Sequence, residues 1–513
     1  MAAVSAVILD GSPLTLEMVE RAARHGAPVE LSAGARRFVT AGRAFIDRLV
    51  REGAPIYGIT TGVGKLKDTL IPASERVRLQ RNLVLSHAGG VGAPLAQDEV
   101  RAVMVLLAAS LARGASGVRP EIVDALLACL NRRVHPVVPE LGSLGSSGDL
   151  APLAHIAACL IGEGEAWVDG RRVSAPEALA GAGLAPLQLE AKEGLALLNG
   201  THLMAGLGAL AVLDATRLEQ VADIAGAMSL EALMGSNAAF DVRIHALRPH
   251  PGQLASAENL RRLTAESAII ASHRDCTRVQ DAYSLRCMPQ VHGSAREATA
   301  SARAIITCEL GSVTDNPLVF ADDGVVLTGG NFHGEPLGLA LDTLAIGLAQ
   351  LAGISERRID RLVNPLTNEG LPPFLSPHGG VHSGYMIAQY VAAALTSECK
   401  RLAQPASVDS IPASGYQEDY NAMAAGAALK ARAAVRAVRQ VLAIELLLAT
   451  QALDLRAPLS PGRGSAAARD AVRRRIAPLD EDRYLKADLE AAIGLVEEGV
   501  VLAAVEEALG PLD

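Results

Sequence analysis

The chain has 513 residues, of which 50% are hydrophobic and 20% charged, and its formal net charge is −9. This length allows a sizeable core and roughly two to four domains. The acidic balance argues against a nucleic-acid partner, because binding of nucleic acids depends on clustered positive charge.

The N-terminal sequence and the cysteines indicate a soluble cytoplasmic protein without a membrane partner. The opening "MAAVSAVILDGSPLTLE" lacks the basic region of a signal peptide. No uninterrupted apolar run is long enough to span a bilayer. The six cysteines are scattered without a C-x-x-C pair, which favours reduced thiols over disulfides or a zinc site.

The first third of the chain combines short strands, loops and helices. "AVIL" predicts a strand, and Thr15 is placed to cap the helix of "LEMVERAARHG". "APIYGITTGVGKLKD" predicts a loop, and residues 74–132 follow a mainly helical pattern. The turn dipeptides Asp169-Gly170 and Asp323-Gly324 each predict a small hairpin.

Long segments rich in Ala and Leu dominate the rest of the chain. They predict helices at 202–233, 292–313, 335–363, 381–403 and 421–455, followed by a more charged helical tail. Helices this long and apolar must bury their faces against one another, so we predict a mainly α fold with a long-helix bundle core. We expect an N-terminal lobe with most of the loops and hairpins at 1–200, and the bundle with the C-terminal helical segment at 201–513.

The stretch "ELGSLGSSGDLAPLAHIA", residues 140–157, places small residues directly before an apolar helix. Its glycine spacing matches neither phosphate-binding fingerprint. An ordinary turn with Asp149 as the helix N-cap is one interpretation. In the other, the amide nitrogen of Gly148 attacks the Ser146 carbonyl carbon and Ser147 loses its hydroxyl. The product is an electron-poor alkene, and glycine suits the attacking position because it lets the backbone fold tightly.

The segment "GSLGSSGDLAPLAH" resembles the signature of the aromatic amino-acid ammonia-lyase family, especially its histidine-directed members. Further similar segments follow the family order over most of the chain: YGITTG, NLVLSHAGGVG, KEGLALLNGT, QDAYSLRC, TDNPLVF, GGNFHGEP, SERRIDRL, GLPPFL and VDSIPASGYQED. The resemblance implies a fumarase/aspartase-like helical architecture. It also implies a 4-methylidene-imidazol-5-one (MIO) group, formed autocatalytically from Ser146-Ser147-Gly148 without an external cofactor. The implied assembly is a homotetramer in which loops from three chains complete each site.

The implied reaction removes ammonia from an aromatic amino acid, although the amine is a poor leaving group and the β-proton is weakly acidic. Covalent attachment to an electrophile splits this step, by improving the leaving group or by activating the carbon skeleton. The resemblance assigns the base to Tyr57 and a second catalytic role to Tyr283. It assigns Arg286 to the substrate carboxylate, which a guanidinium can hold through two parallel hydrogen bonds. It places Gln280, Asn199 and Phe332 near the substrate or the MIO group.

Two positions indicate which amino acid is bound. His87 and Glu418 match the residues that surround the imidazole ring in histidine-directed members. A phenyl ring would leave such buried polar groups unpaired, at roughly 1–3 kcal/mol each. We therefore expect conversion of L-histidine to trans-urocanate and ammonia, a step of histidine breakdown.

Several departures from the family pattern keep other functions open. The usual Ala, Pro, Asn and His are replaced by Ser146, Ala282, Tyr416 and Tyr420. The Ser-His pair before "AGG" also occurs in some tyrosine aminomutases. The alternatives are thus an MIO-dependent tyrosine or phenylalanine ammonia-lyase, a 2,3-aminomutase, and a helical scaffold whose loop never cyclises. His333 and Glu335 match no ligand motif, so no metal is expected.

Overall fold

Helices form most of the computed structural model, which describes residues 5–53, 55–276 and 278–513. In chain order the helices are α1 (Leu16–Ala23), α2 (Ala33–Glu52), α3 (Arg76–His87), α4 (Gln97–Leu111), α5 (Pro120–Asn131), α6 (Leu150–Leu160), α7 (Ala175–Gly181), α8 (Glu193–Leu198), α9 (His202–Ala232), α10 (Val242–Ala246), α11 (Pro251–Leu263), α12 (Ala268–Ser272), α13 (Tyr283–Arg286), α14 (Met288–Glu309), α15 (Glu335–Val363), α16 (Met386–Leu402), α17 (Ala424–Asp454), α18 (Arg463–Arg473), α19 (Leu485–Glu497) and α20 (Val500–Leu509). Single 3-10 turns lie at Gly64–Leu66, Ala73–Glu75, Asn237–Phe240, Pro373–Leu375 and Ser414–Tyr416. The mainly α prediction is confirmed.

The strands are short and pair locally. They are β1 (Val7–Leu9), β2 (Val29–Leu31), β3 (Val91–Pro94), β4 (His135–Pro136), β5 (Pro139–Leu141), β6 (Glu165–Val168), β7 (Arg171–Ser174), β8 (Leu318–Phe320) and β9 (Val325–Leu327). β1 is parallel to β2, whereas β3–β5, β4–β6–β7 and β8–β9 are antiparallel. Val168 pairs with Arg171 and Phe320 with Val325, so both predicted hairpins are confirmed.

The predicted helices agree with the observed ones. Thr15 caps α1 as expected, with its hydroxyl accepting from the Met18 amide at 3.2 Å. Residues 74–132 are mainly helical as predicted, and they divide into three separate helices, α3, α4 and α5. The glycine-rich segment after His87 leaves the helix and forms β3, which pairs with β5.

The chain divides into two compact units that alternate along the sequence. The first comprises Met1–Ala211, Ala302–Asp342 and Pro405–Leu429, and the second comprises Val212–Ser301, Thr343–Gln404 and Lys430–Asp513. The long helices α9, α14, α15 and α17 each contribute residues to both units. The two units are made of interleaved segments, whereas the lobes expected from the sequence, 1–200 and 201–513, are continuous. The division into these lobes stays a prediction.

Two apolar helical stretches satisfy the length and composition of a membrane span. They are Glu193–Ala232 and Glu335–Val363, and their most apolar windows are 100% and 61% buried. The sequence expectation concerned an uninterrupted apolar run, and polar residues such as Asn199 and Asp342 interrupt both stretches. Burial of this extent is the pattern of core helices in a soluble protein, since a helix that is apolar on most sides can be buried by protein as well as by lipid.

A buried charge network joins three long helices inside the second unit. Arg358 of α15 donates to both carboxylate oxygens of Glu445 on α17, at 2.5 and 2.8 Å. Ser229 of α9 and Ser355 of α15 donate to the same carboxylate. Both charged side chains are fully buried. Removing one partner would leave the other charge unpaired, which typically costs 3–5 kcal/mol.

Glu219 on α9 is a buried carboxyl whose charge is poorly compensated. Burial raises the pKa of Glu219 to about 7, although a hydrogen bond from Thr299 and the charge of Arg296 oppose the shift. The raised pKa means that the folded chain prefers Glu219 protonated. This contribution to stability is fully present below the unfolded value of 4.5 and is lost as the pH rises through about 7.

Glu219→Gln should remove this pH dependence, because the amide stays neutral and can still accept from Thr299. We compare the difference in melting temperature, variant minus wild type, at two pH values. We expect this difference to be about 2–4 °C larger at about pH 8 than at about pH 5. Thermal unfolding at the two pH values measures the difference, with Glu30→Gln at an exposed position of β2 as the control. An equal difference at both pH values would contradict the prediction.

Candidate active site

A cavity of about 1030 Å³ in the first unit gathers most of the side chains that the sequence singled out. Ligand pockets in proteins commonly measure 300–1,000 Å³, so an amino acid fits easily. The walls come from the loop after α2, from α3, from the segment before α6, from α8, and from loops near β9 and before α17. The predicted residues that line it are Tyr57, His87, Ser146, Ser147, Asn199, Phe332 and Glu418.

Ser147 is held at the cavity wall by a close backbone contact of its neighbour Gly148. Gly148 has a φ of +75°, and a Cβ built there would lie 2.2 Å from the backbone nitrogen of Gly200. The Asp149 amide donates to the Gly200 carbonyl oxygen at 2.8 Å. Only glycine combines the left-handed conformation with such an approach, so the residue type at position 148 is dictated by the contact.

Asp149 caps a different helix from the one expected. Its side chain makes no cap hydrogen bond to α6. The carboxylate instead accepts from the amides of Leu203 and Met204 in the first turn of α9, at 2.9 and 3.1 Å, and from the Ser143 hydroxyl. The tertiary structure decides this, because the Gly200 contact brings the unpaired amides of α9 to Asp149. Burial raises the pKa of Asp149 to about 7 against these hydrogen bonds.

Tyr57 lies in the loop after α2, which two threonine hydroxyls stabilise. Thr60 accepts from the Ile56 amide at 2.8 Å and Thr61 accepts from the Gly58 amide at 3.3 Å. The phenol oxygen of Tyr57 accepts from the amide of Gly64 at 3.1 Å. Since this bond uses a lone pair of the oxygen, the hydroxyl proton stays available for a partner in the cavity.

His87 and Glu418 contribute hydrogen-bond acceptors to the cavity. His87 ends α3, and its Nδ1 lies 2.8 Å from the Leu83 carbonyl oxygen. A carbonyl only accepts, so Nδ1 carries the proton and Nε2 is the acceptor of the neutral ring. The backbone of Glu418 pairs with that of Ala413, and the residue lines the cavity. The pair can therefore receive N–H groups from a bound molecule.

Asn199 is oriented by a buried ion pair that sequence reasoning missed. Its Nδ2 donates to Asp315 Oδ1 at 3.4 Å and to the Asn316 carbonyl oxygen at 3.3 Å. Lys192 Nζ lies 2.6 Å from Asp315 Oδ2, and both side chains are buried. Burial lowers the pKa of Lys192, although Asp315 opposes the shift. A lysine within the apolar stretch before "LLNGT" was the available sequence signal.

Phe332 lines the cavity beside a pair of stacked rings. His333 and Tyr420 have ring centroids 6.3 Å apart and an interplanar angle of 18°, and His333 Nε2 contacts the Tyr420 carbonyl oxygen at 3.2 Å. Both residues also line the cavity. Across the described ranges of the chain, no three His, Cys, Asp or Glu side chains cluster as a metal site would require.

The other predicted residues belong to the second unit. Gln280 and Arg286 line a cavity of about 660 Å³ that Met234, His273 and neighbouring residues complete. The Arg286 guanidinium lies 4.8 Å from the ring centroid of Tyr283, whose side chain is 72% exposed. These residues are therefore absent from the walls of the cavity that contains Ser147.

The residues that depart from the family pattern occupy different environments. Tyr420 lines the cavity, whereas Tyr416 is 81% exposed and does not. Ala282 precedes the first residue of α13. Ser146 is buried, and its hydroxyl oxygen accepts from the Ala422 amide at 2.6 Å.

Comparisons with known proteins agree over nearly the whole chain. The family model described as aromatic amino acid lyase matches residues 14–474. A histidine ammonia-lyase of Sorangium cellulosum is 55% identical, covering 99% of this chain and 100% of its own length. The solved histidine ammonia-lyase of Trypanosoma cruzi is 42% identical with a TM-score of 0.91, covering 98% and 96% of the two chains. The tyrosine aminomutase of Streptomyces globisporus is 38% identical with a TM-score of 0.94, covering 99% and 100%.

Gly148→Ala should destabilise the protein more than the same change at a glycine of similar conformation. Gly170, in the β6–β7 turn, has a φ of +76° and no atom within 4 Å of an added Cβ. Gly170→Ala therefore meets only the backbone cost of about 1–2 kcal/mol, whereas Gly148→Ala also meets the Gly200 backbone. We expect a fall in melting temperature at least about twice as large for Gly148→Ala. Equal falls in thermal unfolding would show that the Gly200 contact is unimportant.

Proposed function

The chain belongs to the aromatic amino acid lyase family, and on that basis we propose that it converts L-histidine to trans-urocanate and ammonia. It is a carbon–nitrogen lyase of the ammonia-lyase type. The observation that carries the substrate is that His87 and Glu418 line the same cavity as Ser147. The 55% identity to a histidine ammonia-lyase over 99% of this chain supports the same conclusion.

The segment Ser146-Ser147-Gly148 fits the formation of an MIO group. The Gly148 nitrogen bonds to the Ser146 carbonyl carbon, whose oxygen leaves as water, and Ser147 loses its hydroxyl as a second water. The left-handed φ of Gly148 and the absence of room for a side chain suit this closure. Ser147 lines the cavity, where the resulting alkene would supply an electrophile for covalent attachment of the substrate. No external cofactor is part of the proposal.

The remaining residues bind the substrate and move its proton. Tyr57 is the proposed base for the β-proton, with its oxygen held by the Gly64 amide. Asn199 and Phe332 line the same cavity as Ser147 and are proposed to position the amino acid beside it. Arg286 is the proposed partner of the substrate carboxylate, with Tyr283 as the second catalytic tyrosine and Gln280 as a further polar contact.

The acceptors on His87 and Glu418 favour an imidazole substrate. A neutral imidazole ring offers one N–H to these acceptors and its protonated form offers two, whereas a phenyl ring offers none. Each acceptor left unpaired in a closed site would cost roughly 1–3 kcal/mol. Preference for histidine over phenylalanine follows from this difference.

A second candidate function is action on tyrosine, as an ammonia-lyase or as a 2,3-aminomutase. The Tyr420 phenol, which lines the cavity, could bond to the phenol of a bound tyrosine. The structural likeness to a tyrosine aminomutase supports this alternative. A mutase would return the ammonia to the β-carbon rather than release it.

We infer a cytoplasmic homotetramer in which each site combines residues of neighbouring chains. Arg286 and Gln280 line a different cavity from Ser147 within one chain. Close to them, Val279 and Tyr283 are 95% and 72% exposed, which is unusual for large apolar and aromatic side chains and typical of a covered interface. A neighbouring copy would bring Arg286 to the substrate carboxylate.

The proposed chemistry predicts turnover of histidine and its loss in Ser147→Ala. Wild-type protein should form urocanate, followed by its ultraviolet absorbance, faster than it consumes tyrosine or phenylalanine. Its intact mass should be lower than the sequence mass by two waters. Ser147→Ala keeps the fold, should have the unmodified mass and should lose at least about a thousandfold in kcat, because the electrophile is missing.

Each alternative gives a distinct result in the same assays. Faster consumption of tyrosine with release of ammonia identifies a tyrosine lyase, and a β-amino acid product identifies an aminomutase. An unmodified wild-type mass without turnover identifies a scaffold. Full activity of Ser147→Ala would exclude the MIO group.

Complementation between inactive variants tests the shared site. Ser147→Ala and Arg286→Ala should each be nearly inactive as homo-oligomers, the first without its electrophile and the second without its carboxylate partner. Co-expression should restore a fraction of wild-type activity. In a mixed oligomer, some sites combine Ser147 from an Arg286→Ala chain with Arg286 from a Ser147→Ala chain. Mixed oligomers that stay inactive would show that both residues act within one chain, and mass spectrometry of the purified mixture verifies that they form.

A further inference from the structure

The Ser146 side chain makes a buried contact that the proposed reaction does not use. Its hydroxyl oxygen accepts from the backbone amide of Ala422 at 2.6 Å. Ser146 is 4% exposed and Ala422 is fully buried, so water does not compete for this amide. The contact joins the MIO-forming segment to the residue that lies two positions before α17.

The loop before Ala422 is stabilised internally by Asn421. The Asn421 amide group donates to the carbonyl oxygens of Ile411 and Glu418, at 2.7 and 3.1 Å, and its backbone amide donates to the Ser410 hydroxyl. Residues 410–421 therefore form one closed loop with Glu418 inside it. Any contact that fixes the end of this loop also fixes the position of Glu418 relative to the rest of the cavity.

Two other hydrogen bonds between this loop and the rest of the first unit are more exposed. Lys67 Nζ donates to Gln417 at 2.7 Å, and His333 contacts the Tyr420 carbonyl oxygen at 3.2 Å, both at exposed positions. Exposed hydrogen bonds exchange readily with water and restrain a loop weakly. The buried bond from Ala422 to Ser146 is the stronger restraint of the three.

We propose that the Ser146 hydroxyl is a positioning and specificity-determining group that sets the placement of Glu418 relative to Ser147. The effect on histidine kinetics rests on the proposed function, whereas the hydrogen bond between Ser146 and Ala422 does not. Ring closure consumes the carbonyl oxygen of Ser146 and leaves its side-chain hydroxyl intact. The hydroxyl is therefore available to hold the 410–421 loop in the mature protein as well as in the unmodified chain.

Hydrogen exchange of the backbone amides in 418–423 tests the contact without relying on turnover. Exchange is compared between Ser147→Ala and the double variant Ser146→Ala/Ser147→Ala, neither of which can form the MIO group. We expect about five- to tenfold faster exchange in the double variant, the change that corresponds to loss of one hydrogen bond. Ser146→Thr/Ser147→Ala, which keeps a hydroxyl at position 146, should restore slow exchange.

Kinetics of Ser146→Ala with Ser147 intact test the specificity role. The variant should keep the mass loss of two waters, should raise KM for histidine about five- to tenfold and should change kcat by less than about twofold. Unchanged exchange in the double variant, or an unmodified mass of Ser146→Ala, would overturn the proposal. If Ser147→Ala retained full activity, the proposed function would fail while the exchange comparison would still decide the role of Ser146.

Discussion

The contact of Gly148 with the backbone of Gly200 is the constraint on which the rest of the site depends. It places the end of the small-residue loop against the start of α9, and the Asp149 amide bonds to Gly200 at the same point. The Asp149 carboxylate then caps α9 through Leu203 and Met204. A buried core helix thus supports Ser147, and the reactive backbone that we propose there would need such rigid support to keep its geometry.

Buried charges near the cavity orient polar groups more than they add stability. The Lys192–Asp315 pair has lost its hydration, and such pairs often add little net stability. The Asp315 carboxylate nevertheless accepts a hydrogen bond from Asn199 Nδ2. Because carboxylate oxygens only accept, the nitrogen of the Asn199 side chain must face Asp315. Functional sites commonly contain groups that lower the stability of the fold but hold a side chain in one orientation.

The distribution of polar groups between the two cavities accounts for the shared site that we propose. The cavity of the first unit contains the segment that we propose forms the electrophile, together with the proposed acceptors for the substrate ring. Arg286, the group best suited to a carboxylate, lines a cavity of the second unit. An amino acid presents its ring, amine and carboxylate within a few ångströms, so complete recognition requires both sets of residues at one place. The symmetric oligomer that we propose would supply them by pairing each chain with its neighbours.

The amino-acid sequence by itself determined the helical class, the two Asp-Gly hairpins, the Thr15 cap and the family to which the chain belongs. These features depend on local signals, namely the spacing of apolar residues, turn dipeptides and short motifs, which act within a few residues along the chain. The same motifs also indicated most of the residues that line the cavity. The lysine behind Asn199, the true helix capped by Asp149 and the partner of Ser146 were not predicted. Only the tertiary structure decided them, because each depends on the meeting in space of residues that are 54 to 276 positions apart. No local pattern specifies which distant group a buried side chain will bind.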